Sequence, residues 1–331
     1  MLGKVAIVVS ITSLGCRSDL PSIADSADSA DSADSCVGHL CGEPAKLTDP
    51  DGGNILFEYI YFDAELAAAF NLPAGVTTAN RVMAYFTNRQ TPSNNTLPTS
   101  GVCNNLTKGW PMYQGESHED LDVGTLAITG KNKAGADVTI NLEKKPKGTD
   151  SIGRAHDIFY QVINPDADKW LQPDSYYSVN LGGSTKVAAT SFKDALFLAK
   201  DFQIYMPMVE ENGPMRANAD FTVKWVPMQS ANLPTGQEVL GVTWLTDANG
   251  SPTHMCPVAN DAGSFTIPAA TIAEYRQIAT ARGRNPNKVV LLRNAIVHRL
   301  QPLPVKDGTN LRRIDMLTVM CWAQYMDCSA N

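Results

Sequence analysis

The sequence predicts a mainly β protein of β-sandwich architecture behind an exported N-terminus, and three observations carry that prediction. Apolar and polar residues alternate in segments such as FTVKW (221–225) and VTINLE (138–143), which is the period of a strand with one buried face. Only two segments, 63–70 and 269–283, have helical character. The 24 glycines and 20 prolines divide the body into short segments. Short strands with frequent turns favour a sandwich over a parallel α/β sheet.

The first 16 residues, MLGKVAIVVSITSLGC, have the pattern of a signal peptide. Lys4 provides a positive start, and the uncharged apolar run 5–14 follows it. That run has the length of a signal-peptide core and is well short of the ~20 residues that span a bilayer. We therefore expect residues 1–16 to direct export.

Gly15-Cys16 ends this segment and resembles the lipobox of bacterial lipoproteins, in which the Cys becomes the lipidated N-terminus after cleavage. The family usually has Leu three residues before the Cys and a small residue two before, where this chain has Ser13 and Leu14. The resemblance implies a lipid anchor at Cys16 and a place in the bacterial envelope, at the outer membrane or cell surface. The alternative is ordinary cleavage near Gly15, which leaves Cys16 free.

Residues 17–44 predict a disordered acidic tether. Four copies of Ala-Asp-Ser occupy 24–35 and have no large apolar side chain whose burial would offset the entropy of ordering. Repeated negative charge keeps such a segment extended and soluble. A tether of this kind holds a folded body away from a membrane surface.

The seven cysteines fit an exported protein. Setting the lipobox cysteine aside leaves an even number, which is compatible with disulfides in an oxidising compartment. Cys36 and Cys41 can close a small loop where the tether meets the body. Cys256 is expected to form a disulfide with either Cys321 or Cys328. Connectivity stays open, because six cysteines allow many pairings. The candidates are Cys36, Cys41, Cys256, Cys321 and Cys328.

A polar segment with Gly and Pro, VEENGPMRANAD at 209–220, separates two runs of strand candidates. A fresh alternating strand begins directly after it. We therefore expect two β-sandwich domains, 45–210 and 218–331. In the second domain Pro268 precedes and Gly283 can end the better helix candidate, 269–283.

The segment CPVANDAGSFTIPAATIAEY at 256–275 resembles uncharacterised bacterial surface lipoproteins with Ig-like β-sandwich domains. The resemblance covers roughly the last third of the chain. The leader and the tether are also of the general kind found in those proteins. It implies Ig-like domains and a strand that enters a short helix near the end of the chain. It implies nothing about activity.

Motifs that carry catalytic or phosphate-binding chemistry, namely GxSxG, HExxH, Walker and GxGxxG, are absent from the sequence. The weak calcium candidates are Asn164, Asp166 and Asp168, at alternate positions but without the Gly and Glu of an EF-hand loop. An ordinary solvated turn is the better interpretation of them. We therefore expect no metal and no cofactor.

The densest titratable cluster is ESHEDLD at 116–122, with His118, Glu119, Asp120 and Asp122. Paired carboxylates can perform acid–base work, but adjacent charges before a strand are more typical of an exposed turn. Aromatic residues predict two roles, sugar stacking in loops and packing in strands. The stacking candidates are Trp110, Trp170, Tyr176 and Tyr177, and the core candidates are Trp225, Trp244 and Trp322.

Positive charge is concentrated near the C-terminus of a chain whose net charge is −7. Between positions 276 and 313 nine Lys or Arg residues stand against one acidic residue. The first interpretation is solvated side chains pointing in different directions. The second is a patch that holds an anionic surface polymer. The candidates for it are Arg282, Arg284, Arg293 and Arg299.

These features predict an exported, lipid-anchored surface protein with a structural or ligand-binding role rather than an enzyme. Its expected partners are the membrane, through the N-terminal lipid, and an anionic surface polymer; no nucleic acid is expected, and the oligomeric state stays open. The alternative is an exported hydrolase or a carbohydrate-binding protein. A pocket with converging His and carboxylate groups would favour the hydrolase, and coplanar exposed aromatics would favour sugar binding.

Overall fold

A computed structural model describes residues 43–44, 52–88, 101–108, 119–149, 155–200, 204–206, 215–227, 232–233, 239–248, 251–306 and 312–330. The predicted signal peptide, Cys16, Cys36, Cys41 and most of the predicted tether lie outside the described residues. So do residues 209–214 of the polar segment 209–220. Glu43 and Pro44, the last residues of the predicted tether, form a short strand.

Strands dominate the described residues. In the first half they are β1 (Glu43–Pro44), β2 (Gly53–Phe62), β3 (Thr78–Phe86), β4 (Asn104–Asn105), β5 (Leu126–Lys131), β6 (Asp137–Lys145), β7 (Gly148–Thr149), β8 (Ala155–His156), β9 (Phe159–Pro165), β10 (Ser175–Leu181) and β11 (Thr190–Leu198). In the second half they are β12 (Ile204–Met206), β13 (Met215–Arg216), β14 (Phe221–Trp225), β15 (Leu240–Thr246), β16 (Pro252–Pro257), β17 (Ser264–Ile267), β18 (Lys288–Leu303) and β19 (Arg312–Ser329).

Among the described residues the helices are few and short, as the sequence predicts. Asp63 caps the first, because its carboxylate accepts a hydrogen bond from the backbone N–H of Leu66. The second ends before Gly283, whose φ of 66° is the left-handed conformation that glycine favours. The α-helices are α1 (Ala64–Ala69) and α2 (Ala269–Ala281), and the 3₁₀ turns are η1 (Leu106–Lys108), η2 (Ala167–Lys169) and η3 (Asn260–Ala262).

Fourteen strands form one large sheet in the order β11-β10-β5-β6-β9-β3-β2-β19-β18-β15-β16-β4, with β1 beside β18 and β13 beside β19. Most neighbours are antiparallel, whereas β2 runs parallel to β19. The sheet turns along β6, because residues 137–142 pair with β5 and residues 143–145 pair with β9. The end of the sheet that contains β10 and β11 folds over the central strands. There Val187 forms a β-bridge with Val305, and the Thr318 hydroxyl donates a hydrogen bond to the carbonyl of Phe197. The result is a β-sandwich-like fold, and the mainly β prediction is confirmed.

Two hydrophobic cores lie on opposite faces of the large sheet. Strand alternation sends Phe57 and Tyr59 of β2 into the larger core and Leu56 and Ile60 into the smaller one. The larger core fills the space under β5, β10 and β11. It continues under a three-stranded sheet, β12-β14-β17, and α2. The smaller core is covered in part by α1, whose Leu66 is 1% exposed.

The two halves of the chain meet in this sheet. Residues 314–323 of β19 pair in register with residues 53–62 of β2. The larger core likewise contains Phe57 from the first half and Val297 from the second. The two predicted domains, 45–210 and 218–331, therefore share one sheet and one core.

The disulfide prediction for Cys256 is wrong in its partner. Cys256 is bonded to Cys103, and Cys321 and Cys328 are buried free thiols. Cys256 lies on β16, three strands away from β19, and strands spaced ~4.8 Å apart put ~14 Å between them. A disulfide tolerates at most ~7 Å between Cα atoms. β4 pairs with β16, with Asn104 opposite Met255, so Cys103 comes to lie beside Cys256.

Candidate functional site

The strongest candidate for a ligand surface is a set of three aromatic side chains on the face of the larger core, here called the aromatic row: Tyr59, Tyr61 and Trp322. Tyr61 and Trp322 are directly opposite each other on β2 and β19. Their rings stack, with centroids 5.3 Å apart and an interplanar angle of 26°. Tyr59, two residues before Tyr61 on the same face, has its ring centroid 4.6 Å from that of Tyr61.

Burial decreases along the aromatic row. Tyr59 is 0% exposed, whereas Tyr61 and Trp322 are half-buried and pack only partly against the core. The sequence prediction of a core position holds for Trp225 and Trp244, at 3% and 1% exposed. It holds only in part for Trp322. The aromatic row is therefore anchored at one end and accessible at the other.

Charged groups border the aromatic row. The Tyr59 hydroxyl donates a hydrogen bond to Asp168 of η2. The second oxygen of that carboxylate is 2.8 Å from Nζ of Lys133, whose side chain is 54% exposed. η2 is held beside β3, because Thr78, the cross-strand neighbour of Tyr61, accepts the backbone N–H of Ala167 through its hydroxyl at 3.0 Å. Aromatic rings with a carboxylate and an amine nearby make an amphipathic surface.

The weak calcium candidates are held by other partners. Asp166 is 2.9 Å from Lys169 and Asp168 is 2.8 Å from Lys133. The Asn164 amide donates to Asn80 at 3.2 Å. No group of three or more metal-ligating side chains occurs among the described residues. Lysine ammonium groups occupy the positions at which these carboxylates would meet a cation.

The acidic residues of the ESHEDLD segment separate in the structure, and His118 lies outside the described residues. Glu119 pairs with Lys186, which lowers the pKa of this carboxyl. Asp120 lies 2.8 Å from Nδ1 of His156 and accepts backbone N–H groups of the same segment. Glu119 therefore fixes the connection between β10 and β11, and Asp120 fixes β8 and the residues after it, so the segment links parts of the chain that are distant in sequence.

Asp122, the last acid of that segment, joins two further strands. It accepts hydrogen bonds from the Tyr160 hydroxyl at 2.7 Å and from Lys144 at 2.7 Å. Burial raises the pKa of this carboxyl, but the hydrogen bonds from Lys144, Tyr160 and the Gly124 N–H outweigh it and leave the pKa below its ordinary value.

A second histidine–carboxylate pair lies at the other end of the sheet. Nε2 of His254 is 3.1 Å from Glu274 of α2, and Nδ1 is 3.1 Å from the Thr253 hydroxyl. The Asn105 amide donates to the same carboxylate at 2.7 Å. His254 and Thr253 are both 0% exposed. This cluster connects β4, β16 and α2 next to the disulfide, and the Glu274 side chain is 33% exposed.

The four arginine candidates do not meet on one surface. Arg282 pairs with Asp247 at 3.3 Å, and Arg284 is exposed. Arg299 is half-buried, and burial lowers its pKa. Arg293 is 1% exposed and lies in the core, so it is not part of a surface patch. Sheet alternation puts Arg293 and Arg299 on one face, as predicted, but that face is covered.

Of the predicted stacking candidates, Tyr177 is 0% exposed, and Tyr176 and Trp170 are half-buried. Trp110 lies outside the described residues. Sequence reasoning missed Tyr61 and Trp322 as a pair, since they are far apart in the chain and meet only because β2 pairs with β19. The alternation of Phe57, Tyr59 and Tyr61 was the one sequence signal for an aromatic face.

No family model and no curated protein matches this chain. Among solved structures it is similar in part to a cryo-EM reconstruction of the native conformation of E. coli alpha-2-macroglobulin. The two are 9% identical, and the match covers 84% of this chain and 14% of that chain with a TM-score of 0.17. This chain thus spans a small part of the length of that protein, and a likeness at this TM-score supports no conclusion about fold or function. No helix among the described residues has the length and apolar character to cross a membrane.

Proposed function

We propose that this protein is exported to the bacterial envelope, is anchored there through lipidated Cys16, and binds a ligand on its folded body. The signal-peptide pattern, the Gly15-Cys16 ending and the acidic tether support export and anchoring. The Cys103–Cys256 disulfide supports an oxidising compartment, because disulfides are rare in reducing ones. The resemblance to surface lipoproteins supports the same location.

A sugar ring is the ligand that the aromatic row fits best, and the stacked pair Tyr61–Trp322 is the observation that carries this proposal. The apolar face of a pyranose packs on an aromatic ring, while its hydroxyl groups need polar partners nearby. Asp168 and Lys133 form an ion pair beside the row, and the Lys133 ammonium, with its side chain 54% exposed, can also donate to a sugar hydroxyl. The His156–Asp120 and His254–Glu274 pairs lie in separate places and connect neighbouring elements, which supports binding rather than hydrolysis.

Sugar binding is tested with Tyr61→Ala and Trp322→Ala on an array of envelope polysaccharides and oligosaccharides. A stacking contact is worth about 0.5–1.5 kcal/mol beyond area, so each variant is expected to bind roughly two- to tenfold more weakly than wild type. Ile163→Ala is the matched control, because Ile163 is 63% exposed and lies on the opposite face, across from Arg81. Equal binding by all three variants would remove the aromatic row as the site.

Anchoring is tested by detergent phase partition of the full chain expressed in a bacterium that processes lipoproteins. Wild type is expected in the detergent phase and Cys16→Ser in the aqueous phase, because two or three acyl chains anchor a protein firmly. Wild type found entirely in the aqueous phase contradicts the lipid anchor and leaves the sugar test unaffected.

A further inference from the structure

The larger core contains a buried arginine. Arg293 lies in the middle of β18 and is 1% exposed. Its guanidinium carbon is 3.9 Å from the ring centroid of Trp225, which reaches over from the small sheet. Gly241 of β15 also lies next to the guanidinium, because a Cβ at Gly241 would be 2.2 Å from Nη2 of Arg293. The absence of a side chain at Gly241 is what gives the guanidinium its place.

Three buried polar atoms at this place have no hydrogen-bond partner among the described residues. Two are Nη1 and Nη2 of Arg293, and the third is Oγ1 of Thr243. Thr243 is 0% exposed and directly opposite Arg293 in the β15–β18 ladder. Residues opposite each other in an antiparallel pair have Cβ atoms ~4.5–5.5 Å apart on the same face. The orphaned groups are therefore neighbours, and together they offer several donors to one point.

The charge of Arg293 requires compensation. Burial lowers its pKa to about 9, which leaves the guanidinium protonated at neutral pH. The Trp225 ring contributes a cation–π contact, but that contact is weaker than the cost of removing a charge from water. Neither Trp225 nor Thr243 carries a negative charge, and Trp322, the neighbour of Arg293 on β19, carries none either.

We infer that Arg293 and Thr243 bind a small monovalent anion of the halide class inside the fold, between the small sheet and the large sheet. An anion accepts the guanidinium N–H groups and the Thr243 hydroxyl at once and neutralises the charge, whereas water satisfies the hydrogen bonds only. The burial of both residues restricts the occupant to a small ion. An anionic polymer of the kind that the sequence suggested for Arg293 cannot reach this place.

The test measures the thermal unfolding midpoint of the full chain in sodium chloride, sodium bromide and sodium gluconate at equal ionic strength. Gluconate is too large for the site and controls for charge screening. The midpoint is expected to rise with chloride and bromide concentration, as for any ligand that binds the folded state only. Bromide anomalous scattering from crystals is expected to give a peak between Arg293 and Thr243.

Three variants make the result specific. Arg293→Met replaces the charge by an apolar chain of similar volume and is expected to fold without halide dependence. Thr243→Val removes one donor, and the halide concentration giving half of the midpoint rise is expected to increase about five- to tenfold. Glu238, three residues before Gly241 in the sequence, is an acid that lies outside the described residues. The variant Glu238→Gln is expected to keep the halide response. Equal midpoints of the wild type in chloride and gluconate, or a halide response that survives Arg293→Met, would overturn the inference.

Discussion

Glu58 and Arg81 form an ion pair inside the smaller core, at 0% and 4% exposure. Burial raises the pKa of Glu58, and the neighbouring guanidinium only partly opposes that shift. The free thiol of Cys321 lies close enough for the same carboxylate to add to the burial that raises its pKa. A thiol in this setting stays protonated and inert, so Cys321 acts as a small core residue.

Asp122 is expected to make the folded state sensitive to acid. Its pKa lies below the ordinary value of 3.8 in the folded state. The stability that it contributes is present above the unfolded pKa and is lost as pH falls through the folded pKa. Urea unfolding between about pH 5 and about pH 2 should therefore show a smaller acid-induced loss in Asp122→Asn than in wild type.

The control for this prediction is Asp137→Asn. Asp137 also pairs with a lysine, Lys131, but its side chain is 91% exposed, and exposed pairs contribute little. This variant should follow the wild-type acid profile. If Asp122→Asn and Asp137→Asn give the same dependence of stability on pH, the contacts of Asp122 do not make the folded state sensitive to acid.

For individual residues, the sequence indicates the chemical character of a side chain but not the residues with which it pairs. The sequence predicts an exposed turn at ESHEDLD, whereas the Asp120 side chain is 7% exposed and Asp120 forms a β-bridge with Thr87. The partners of its acids are supplied by segments 36 to 67 residues further along the chain, and these partners are Lys186, His156 and Tyr160. No local pattern contains that information. Arg293 shows the same limit, because alternation assigns its face and only the topology reveals that the face is covered.

Prediction from the sequence is most successful for individual helices and strands. Pro268 and Gly283 bracket the predicted helix, and α2 spans Ala269–Ala281 between them. The FTVKW alternation becomes β14 with Phe221, Val223 and Trp225 buried. Pairing order is different, since a strand pattern does not say which strand lies next to it. That is why the disulfide partner of Cys256 was predicted wrongly.

The Cys103–Cys256 bond holds the short element β4 on the edge of the sheet. β4 pairs through two residues only, so the bond is expected to be its main attachment. For a sequence separation of 153 residues, the chain-entropy model gives a stabilisation of up to about 5 kcal/mol. A reducing agent should lower the free energy of unfolding of the wild type by a few kcal/mol and leave Cys103→Ala/Cys256→Ala unchanged.

Cys321→Ala serves as the control for cysteine chemistry, because Cys321 is a free buried thiol. It should keep the full response to reducing agent. A wild type whose urea midpoint ignores the reducing agent would show that the bond does not contribute to stability.

The whole molecule is organised by its longest strands. β18 and β19 pair along sixteen positions, and β19 then joins β2 from the start of the chain. The polar segment 209–220 predicts a boundary between two strand groups, whereas β12 before it pairs with β14 after it. It did not predict that the last strand would return to the first half, because parallel pairing between distant segments leaves no local signature. The β1 pair places the end of the tether beside β18.

This organisation predicts that the two halves fold together. If residues 218–331 are expressed alone, β19 loses its parallel partner β2, and the larger core loses its contribution from β5, β10 and β11. An exposed long apolar strand edge is expected to aggregate or remain unfolded. The chain from residue 45 to the C-terminus should give one cooperative urea transition followed by circular dichroism. The fragments 45–210 and 218–331 should show sharp transitions only when they are mixed. A fragment 218–331 that unfolds cooperatively by itself, at the midpoint of the longer chain, would mean that the shared sheet is not required for folding.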